Sequence, residues 1–383
     1  MTGAANEGRG ANAGRSVAIV GGGIAGLTAA IAFARHGAGV TLYEQAPEFT
    51  EVGAGLQVSP NGARVIDAIG LGPALDAVSI HALAVEPMDG LTGRQITRFD
   101  LSGRSGPPYR FVHRAALIDV LAAGAREAGA TLITDARTEV APEADIVVAA
   151  DGLHSVFRAQ LNGASEPFFT GQVAWRAMVE RVPVAEVGPV ARVWMAPGQH
   201  IVTYPLPGDR LNIVAVQERQ EWRAEGWHHD ADPLILRRAF QGFSGRVTAW
   251  LEHVAQVMEW GLFRHPVAEK WTDGQRLAVI GDAAHPTLPF LAQGANLAME
   301  DAWVLAATLD EGPLAERLPA FQARRRPRAV RAIAAANANA VNYHRSGVMR
   351  SASHLVLGGI GRLAPDWWLG RLSWLYDHDV TAG

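Results

Sequence analysis

At 383 residues the chain is too long for one ordinary core and points to two domains or one large interleaved unit. Its 49% hydrophobic and 19% charged content describes a globular protein, and a net charge of −4 gives no electrostatic case for nucleic acid or an anionic membrane. Cysteine is absent, which excludes disulfides, thiolate catalysis and cysteine-ligated metals, so a soluble cytoplasmic protein is the expectation.

In chain order, residues 1–15 lack the apolar core of a signal peptide and read as a disordered lead-in. SVAIVGGGIAGLTAAIAFARHGAGVTLYE (16–44) alternates a short β run, a glycine turn, an Ala/Leu-rich helix and a second β run ending in Glu44, one βαβ unit. Residues 82–100 read as a hairpin turning around Asp89–Gly93, 114–129 as a helix with a glycine stop, and 144–152 as a buried strand ending in an acid. Between about 167 and 265 the pattern becomes all-β, and 275–282 returns to the parallel-strand style. Helices dominate from Gln293 to about Tyr343, followed by a helical tail carrying Trp367, Trp368 and Trp374. The expected fold is α/β (α+β), a Rossmann-like domain over 16–78, 101–166 and 268–312. A mostly antiparallel second domain over 79–100 and 167–267 interrupts it, and a C-terminal helical region spans 313–383.

Gly21, Gly23 and Gly26 have the G-x-G-x-x-G spacing directly after a strand and opening a helix. Gly21 permits the tight turn, Gly23 lets backbone amides approach a pyrophosphate, and Gly26 lets helix pack on strand. Glu44 then stands where ribose hydroxyls need an acceptor, and an acid there argues against a 2′-phosphate. This motif alone does not choose between FAD and NAD. DGLHSVFR (151–158) places Asp151 at a strand end with Ser155 and Arg158 after it, a pattern that a simple helix cap would also produce. GDAAHP (281–286) places Asp282 at another strand end, ahead of a helix beginning near Gly294. A ligand reaching from Gly23 to Gly294 is longer than one nucleotide, and FAD fits that length.

The ordered set VGGGIAG, DGLHSVFR and GDAAHPTLPFLAQGANLAMEDA strongly resembles the single-component FAD-dependent aromatic hydroxylases, which include 4-hydroxybenzoate, salicylate and 3-hydroxybenzoate hydroxylases. The resemblance covers roughly residues 16–345. It implies that Arg114 contacts FAD, that Asp282 meets its ribityl or pyrophosphate region, and that Asp151-Gly152 serves FAD and a transient nicotinamide. By the same resemblance Gly55 lies in a glycine loop (51–62) beside the flavin, while Pro289, Gly294, Ala295 and Asn296 border its ring. Gln45 stands where many members carry Arg after the ribose-binding Glu, and LAQG replaces the commoner Gly-Gln-Gly.

The implied chemistry is reduction by NADH or NADPH, addition of O2 to give a flavin hydroperoxide, and transfer of OH to an electron-rich ring of a small aromatic acid. Ionising a substrate phenol favours a histidine base. In the strand GQHIVTYPLPG (198–208), His200, Val202 and Tyr204 share a face, so His200 can take the phenol proton while Tyr204 binds a hydroxyl or carboxylate. Similarity adds Gln293 as a third polar group facing the ring. Arg176 and Arg192 are candidate carboxylate anchors, although strand arginines are more often solvated. His285 reads as a structural member of the cofactor loop, and RRRPR (324–328) as the solvated face of a bent helix. His228 and His229 read as an exposed turn, and no metal site is expected. The same scaffold would also suit a larger or alicyclic substrate, and an NAD-linked dehydrogenase is the reading from a different class. A monomer and a homodimer are both compatible with the Trp-rich tail.

Overall fold

The computed structural model describes residues 10–49, 54–220, 222 and 229–382. Four short, almost wholly apolar runs, Ser16–Val20, Gly39–Tyr43, Ile146–Ala149 and Leu277–Val279, pair in parallel, because strands buried on both faces need no polar alternation. With Thr131–Ile133 at the far edge they form a five-stranded sheet, whose middle strand is Ser16–Val20. Helices Ile24–Arg35, Arg114–Glu127 and Gly294–Leu309 pack together over it and share one continuous core with it.

An eight-stranded sheet carries the second domain. Its long members Phe168–Glu180, Val190–Ala196, Gln199–Leu206, Arg210–Glu218 and Val257–Arg264 are joined by antiparallel pairings, while Val190–Ala196 meets Ala84–Asp89 in parallel. Alternation decides its two faces. Val173, Trp175, Ala177 and Val179 enter one core with Ile201, Ile213 and Ala215, covered by Leu236, Phe240 and Val247. The cover is two helices, Pro233–Ala239 and Gly245–Glu252, so the all-β expectation for 167–265 does not hold. The first begins where the Asp232 carboxylate accepts the Leu234 N–H at 2.9 Å, a local cap that strand periodicity hides.

Three further expectations need adjustment. Residues 10–15 are ordered, since the Asn12 side chain donates to the Ala306 carbonyl at 2.8 Å and Arg15 donates to that of Leu309 at 2.9 Å. Ser79–His81, placed in the second domain from sequence, instead pairs with Arg110–His113, which also pairs with Gly55–Val58 in a small three-stranded sheet. Finally, the basic cluster 324–328 is a solvated face only in part, with Arg324 exposed. On helix Leu314–Tyr343, Arg325 is buried against Glu300 and Asp301 at 2.7 Å each, and Arg328 makes two bonds of 2.7 Å to Glu300. Positions 325 and 328 lie one turn apart on the side facing Gly294–Leu309, where two buried acids demand cations.

Burial pushes the Glu300 carboxyl up, but Arg325 and Arg328 outweigh it and hold it below its ordinary range. Replacing Arg325 by Leu leaves two buried carboxylates short of a partner. The variant is expected to lose about 3–5 kcal/mol of unfolding free energy in urea titration. A loss below about 1 kcal/mol would show that these charges are compensated elsewhere.

Candidate active site

A cavity of about 550 Å³ runs from the glycine turn of the parallel sheet to the face of the second sheet opposite its own apolar core. At its first end, Gly21 has φ +104, and a Cβ added there or at Gly26 would collide with the Ala150 or Gly21 carbonyl oxygen, respectively. Those two glycines are required by the fold itself. Gly23 differs. Its φ is −75, and an added Cβ would meet nothing within 4 Å among the described residues, yet the residue lines the cavity. Helix Ile24–Arg35 begins there without a side-chain cap, leaving its first N–H groups and the positive end of its dipole for a ligand. Glu44 lines the same end, its carboxylate oxygens accepting the Gly22 and Ala46 amides at 2.5 and 2.8 Å.

Midway, Asp151 accepts the Val156 N–H at 3.0 Å through one oxygen, while the other is buried without a partner among the described residues. Burial raises its carboxyl above the usual range. Ser155 accepts the Arg158 amide at 2.9 Å, capping the helix. The Arg158 guanidinium donates to the carbonyls of Pro266 at 2.6 Å, Ala284 at 3.1 Å and Ala283 at 3.3 Å, so it ties the two motif loops to each other. Asp282 opens onto the cavity and is enclosed by protein on its other sides. Desolvation raises its carboxyl, opposed by His285 and Arg114. Arg114 also lines the cavity, and burial brings its guanidinium down to about 10, with Arg176 adding to the shift and Asp282 opposing it. His285 is fully buried, stacks on Trp271 and bonds Asp301, and so braces the loop from behind.

At the far end Pro289, Ala292, Gly294 and Ala295 border the cavity. Ala292 has φ +52, a strained value for a residue with a Cβ, and its carbonyl is held by the Asn296 amide at 2.7 Å. Asn296 therefore lies behind the wall: it also accepts the Ser59 N–H at 3.0 Å and donates to the Gln57 carbonyl at 3.0 Å, and does not line the cavity. Gln293 borders the cavity, but its carboxamide donates to Ser59 Oγ at 2.9 Å and accepts from Asn61 at 3.0 Å. Both residues position the loop and do not offer free polar atoms to a ring. Asn61 in turn donates to Glu300 at 2.6 Å. Gly55 lines the cavity beneath Tyr204 and Asn212, the latter accepting its N–H at 2.7 Å; residues 51–53 of that glycine loop lie outside the described residues.

Cross-strand register sets the remaining wall. Arg176 pairs with Val214, which pairs with Val202; Ala174 pairs with Val216, which pairs with His200; and Met178 pairs with Asn212, which pairs with Tyr204. Directly paired residues project from the same face, so Arg176, His200, Val202 and Tyr204 all look toward the cavity. The guanidinium of Arg176 lies 4.7 Å above the Trp260 ring and has no carboxylate within bonding distance among the described residues. Arg192 emerges on the opposite face and pairs with Glu86 at 2.9 Å, so it anchors no ligand here. Tyr204 is buried against Phe111 at 5.0 Å between ring centroids, and burial raises its phenol well above the usual range. His200, 1% exposed, turns Nδ1 to His344 Nε2 at 2.7 Å, and His344 Nδ1 meets Glu218 at 2.8 Å. Burial, with His344 beside it, holds His200 well below the usual imidazole range.

Neither His344, Glu218, nor the Ser59–Asn61–Glu300 links stand in a recognisable motif. The one available signal was Asn296, Glu300 and Asp301 inside an otherwise apolar helix. His229 lies in a short edge strand paired with Glu259, whereas His228 is outside the described residues. Among the described residues no group of three or more His, Asp or Glu side chains is arranged to hold a metal.

The cavity fits FAD on its own terms: a glycine that only a ligand needs, an uncapped helix start, an orphaned Asp151 oxygen and Asp282 opening inward. A family model described as an FAD binding domain matches residues 132–336, and one described as an NAD(P)-binding Rossmann-like domain matches residues 19–62. A 3-amino-4-hydroxybenzoate 2-monooxygenase of Streptomyces platensis is 36% identical over 327 residues, 79% of this chain and 82% of its own length. A 3-hydroxybenzoate 6-hydroxylase of Polaromonas naphthalenivorans is 30% identical over 395 residues, covering 95% of this chain and 96% of its own. The structure of a salicylate hydroxylase substrate complex shares the fold, with a TM-score of 0.79 at 23% identity over 97% of each chain.

Replacing Gly23 by Val tests the cofactor end. The side chain has room in the protein but fills ligand space, so circular dichroism should stay unchanged while FAD affinity, read by flavin fluorescence quenching, falls at least about tenfold. Unchanged FAD retention would remove Gly23 from the cofactor site.

Proposed function

The chain belongs to the FAD-dependent aromatic monooxygenases, and from that premise we propose that it hydroxylates a small phenolic acid of the hydroxybenzoate, salicylate or hydroxynicotinate type, with NADH or NADPH as reductant. The observation that carries the substrate class is Arg176. A guanidinium set in the cavity wall, with its Nε buried and unpartnered and no acid beside it among the described residues, is costly, and a substrate carboxylate in the cavity it lines offsets that cost. Burial already lowers its affinity for its proton, as desolvation of an uncompensated cation requires.

The protein's part divides along the cavity. Gly23 and the start of helix Ile24–Arg35 hold the pyrophosphate, Glu44 the adenosine ribose, and Asp282 with Arg114 the ribityl region. Asp151 and Gly152 serve FAD and the transient nicotinamide. Bound FAD supplies hydride acceptance from the nicotinamide and transfer of one oxygen atom of O2 to the ring. N–H groups at the start of Gly294–Leu309 favour negative charge next to them during reduction. On the opposing sheet face, Trp260, Val202 and Leu288 give the ring an apolar seat that excludes water, and Tyr204 orients its polar groups. His200 removes the phenolic proton at Nε2; its depressed basicity keeps it neutral and ready at working pH. No described helix is long and apolar enough to cross a membrane, and a cysteine-free chain suits the reducing cytoplasm in which we place this activity.

The test is oxidation of NADH and NADPH by FAD-loaded protein with 3-hydroxybenzoate, salicylate, 4-hydroxybenzoate, 3-amino-4-hydroxybenzoate and 6-hydroxynicotinate, with peroxide measured in parallel. One acid is expected to stimulate oxidation with little peroxide. Flavin that is bound and reducible but indifferent to every acid would overturn this substrate class and favour a larger or alicyclic one. Arg176→Met should raise KM for the acid about 10- to 100-fold, the worth of a charge-assisted hydrogen bond. A KM within about twofold of wild type would exclude Arg176 as the anchor.

A further inference from the structure

Behind His200 stands a row of two further titratable groups. His200 Nδ1 lies 2.7 Å from His344 Nε2, and His344 Nδ1 lies 2.8 Å from a carboxylate oxygen of Glu218. The row crosses the protein from inside to outside. His200 is 1% exposed, whereas the Glu218 side chain is 56% exposed. His344 ends helix Leu314–Tyr343, and its carbonyl accepts the Gly198 N–H at 3.1 Å, which clamps it against the turn preceding His200. The Glu218 N–H donates to the Gly198 carbonyl at 2.8 Å, so one turn holds both outer members in place.

The chemistry of the end group sets the tautomers. A carboxylate only accepts, so His344 carries its proton on Nδ1 and presents Nε2 as acceptor. His200 then donates from Nδ1, which leaves a bare Nε2 for the cavity that its ring lines. The row therefore presents a base where a phenol would sit. Building on His200 as the base for a phenolic substrate, we propose that His344 and Glu218 carry the proton that His200 removes out to solvent.

The transfer balances without any redox partner. The substrate O–H bond breaks and a proton joins His200 Nε2; the Nδ1 proton passes to His344 Nε2; and the His344 Nδ1 proton passes to Glu218 and then to water. The net change is phenol to phenolate plus one solvated proton. Run backward when the product leaves as a phenol, the same shifts restore both tautomers. The arrangement answers a problem set by burial: a lone imidazolium in this apolar wall, packed against Phe290 and Tyr343, would be strongly disfavoured. The ionisable groups facing the two rings are Tyr343, whose phenol burial pushes up to about 12, and Glu218, while Arg176 and Tyr204 share the cavity face. His344 and Glu218 are thus positioning residues that act through His200.

The experiment is anaerobic stopped-flow mixing of FAD-loaded protein, in weak buffer with an indicator dye, with whichever of the five acids named above stimulates NAD(P)H oxidation. Wild type is expected to release one proton per site on binding. His344→Gln, which keeps a hydrogen bond but passes no proton, should slow release on the order of tenfold or more. Its Kd for the acid should change less than about threefold. Glu218→Gln, at the surface, should slow release in the same direction while the fold is kept. Added imidazole should restore fast release to His344→Ala, which a merely structural role would not allow. Release as fast as wild type in both His344→Gln and Glu218→Gln overturns the relay alone. Failure of all five acids to stimulate the wild type overturns the substrate reading and the relay with it.

Discussion

Two adjacent buried carboxylates, Glu300 and Asp301, hold the site together. From one turn of helix Gly294–Leu309 they accept hydrogen bonds from three separate parts of the chain: Asn61, in the first turn of helix Pro60–Ala68 that follows the glycine loop, the Gly281 amide and His285 of the cofactor loop, and Arg325 on helix Leu314–Tyr343, with Arg328 beside it on Glu300. Two carboxylates in an apolar interior are tolerable only when each lone pair finds a donor and the charge is matched. That requirement fixes the relative positions of the two loops that border the cavity. It also explains why polar residues sit on buried faces of an otherwise apolar helix.

The cavity is a product of two different periodicities meeting. On one side, parallel strands deliver their C-terminal ends with acids or glycines at Gly21, Glu44, Asp151 and Asp282, where helix starts can add amide donors. On the other, the antiparallel sheet sorts residues by parity, sending Trp175, Ile201 and Ile213 to its own core and Arg176, His200, Val202 and Tyr204 to the ligand side. Cofactor contacts thus fall at strand ends, whereas the substrate wall is the middle of a sheet face. The strained Ala292 and the carboxamides of Asn296 and Gln293 join the two regions at the loop between them.

The glycine spacing and the strand-end acids were legible because they are local: a tight turn, a close approach and a helix start each leave a mark within a few residues. The shared face of His200, Val202 and Tyr204 was legible for the same reason, since a strand alternates strictly. The glycine triplet alone left FAD and NAD open, and two more segments were needed to require a longer ligand. Similarity points Gln293 and Asn296 at the ring, yet their amides are engaged by Ser59, Asn61 and Gln57, more than 230 positions away in the chain. The cluster 324–328 read as solvated because no short-range pattern shows which side of a helix faces a buried acid.

By itself the sequence determined the α/β core, the dinucleotide end of the cavity and the strand that carries His200. Each of these depends on backbone conformation and residue period over stretches shorter than thirty residues. Only the tertiary structure decided which charges are paired. Arg176 and Arg192 are similar strand arginines in sequence, but sheet pairing sets one on the cavity side, with no acid beside it among the described residues, and places the other beside Glu86. It also decided that His344 and Glu218 stand behind His200. Contacts between residues 18 and 144 positions away from His200 arise from chain topology, which no local pattern encodes.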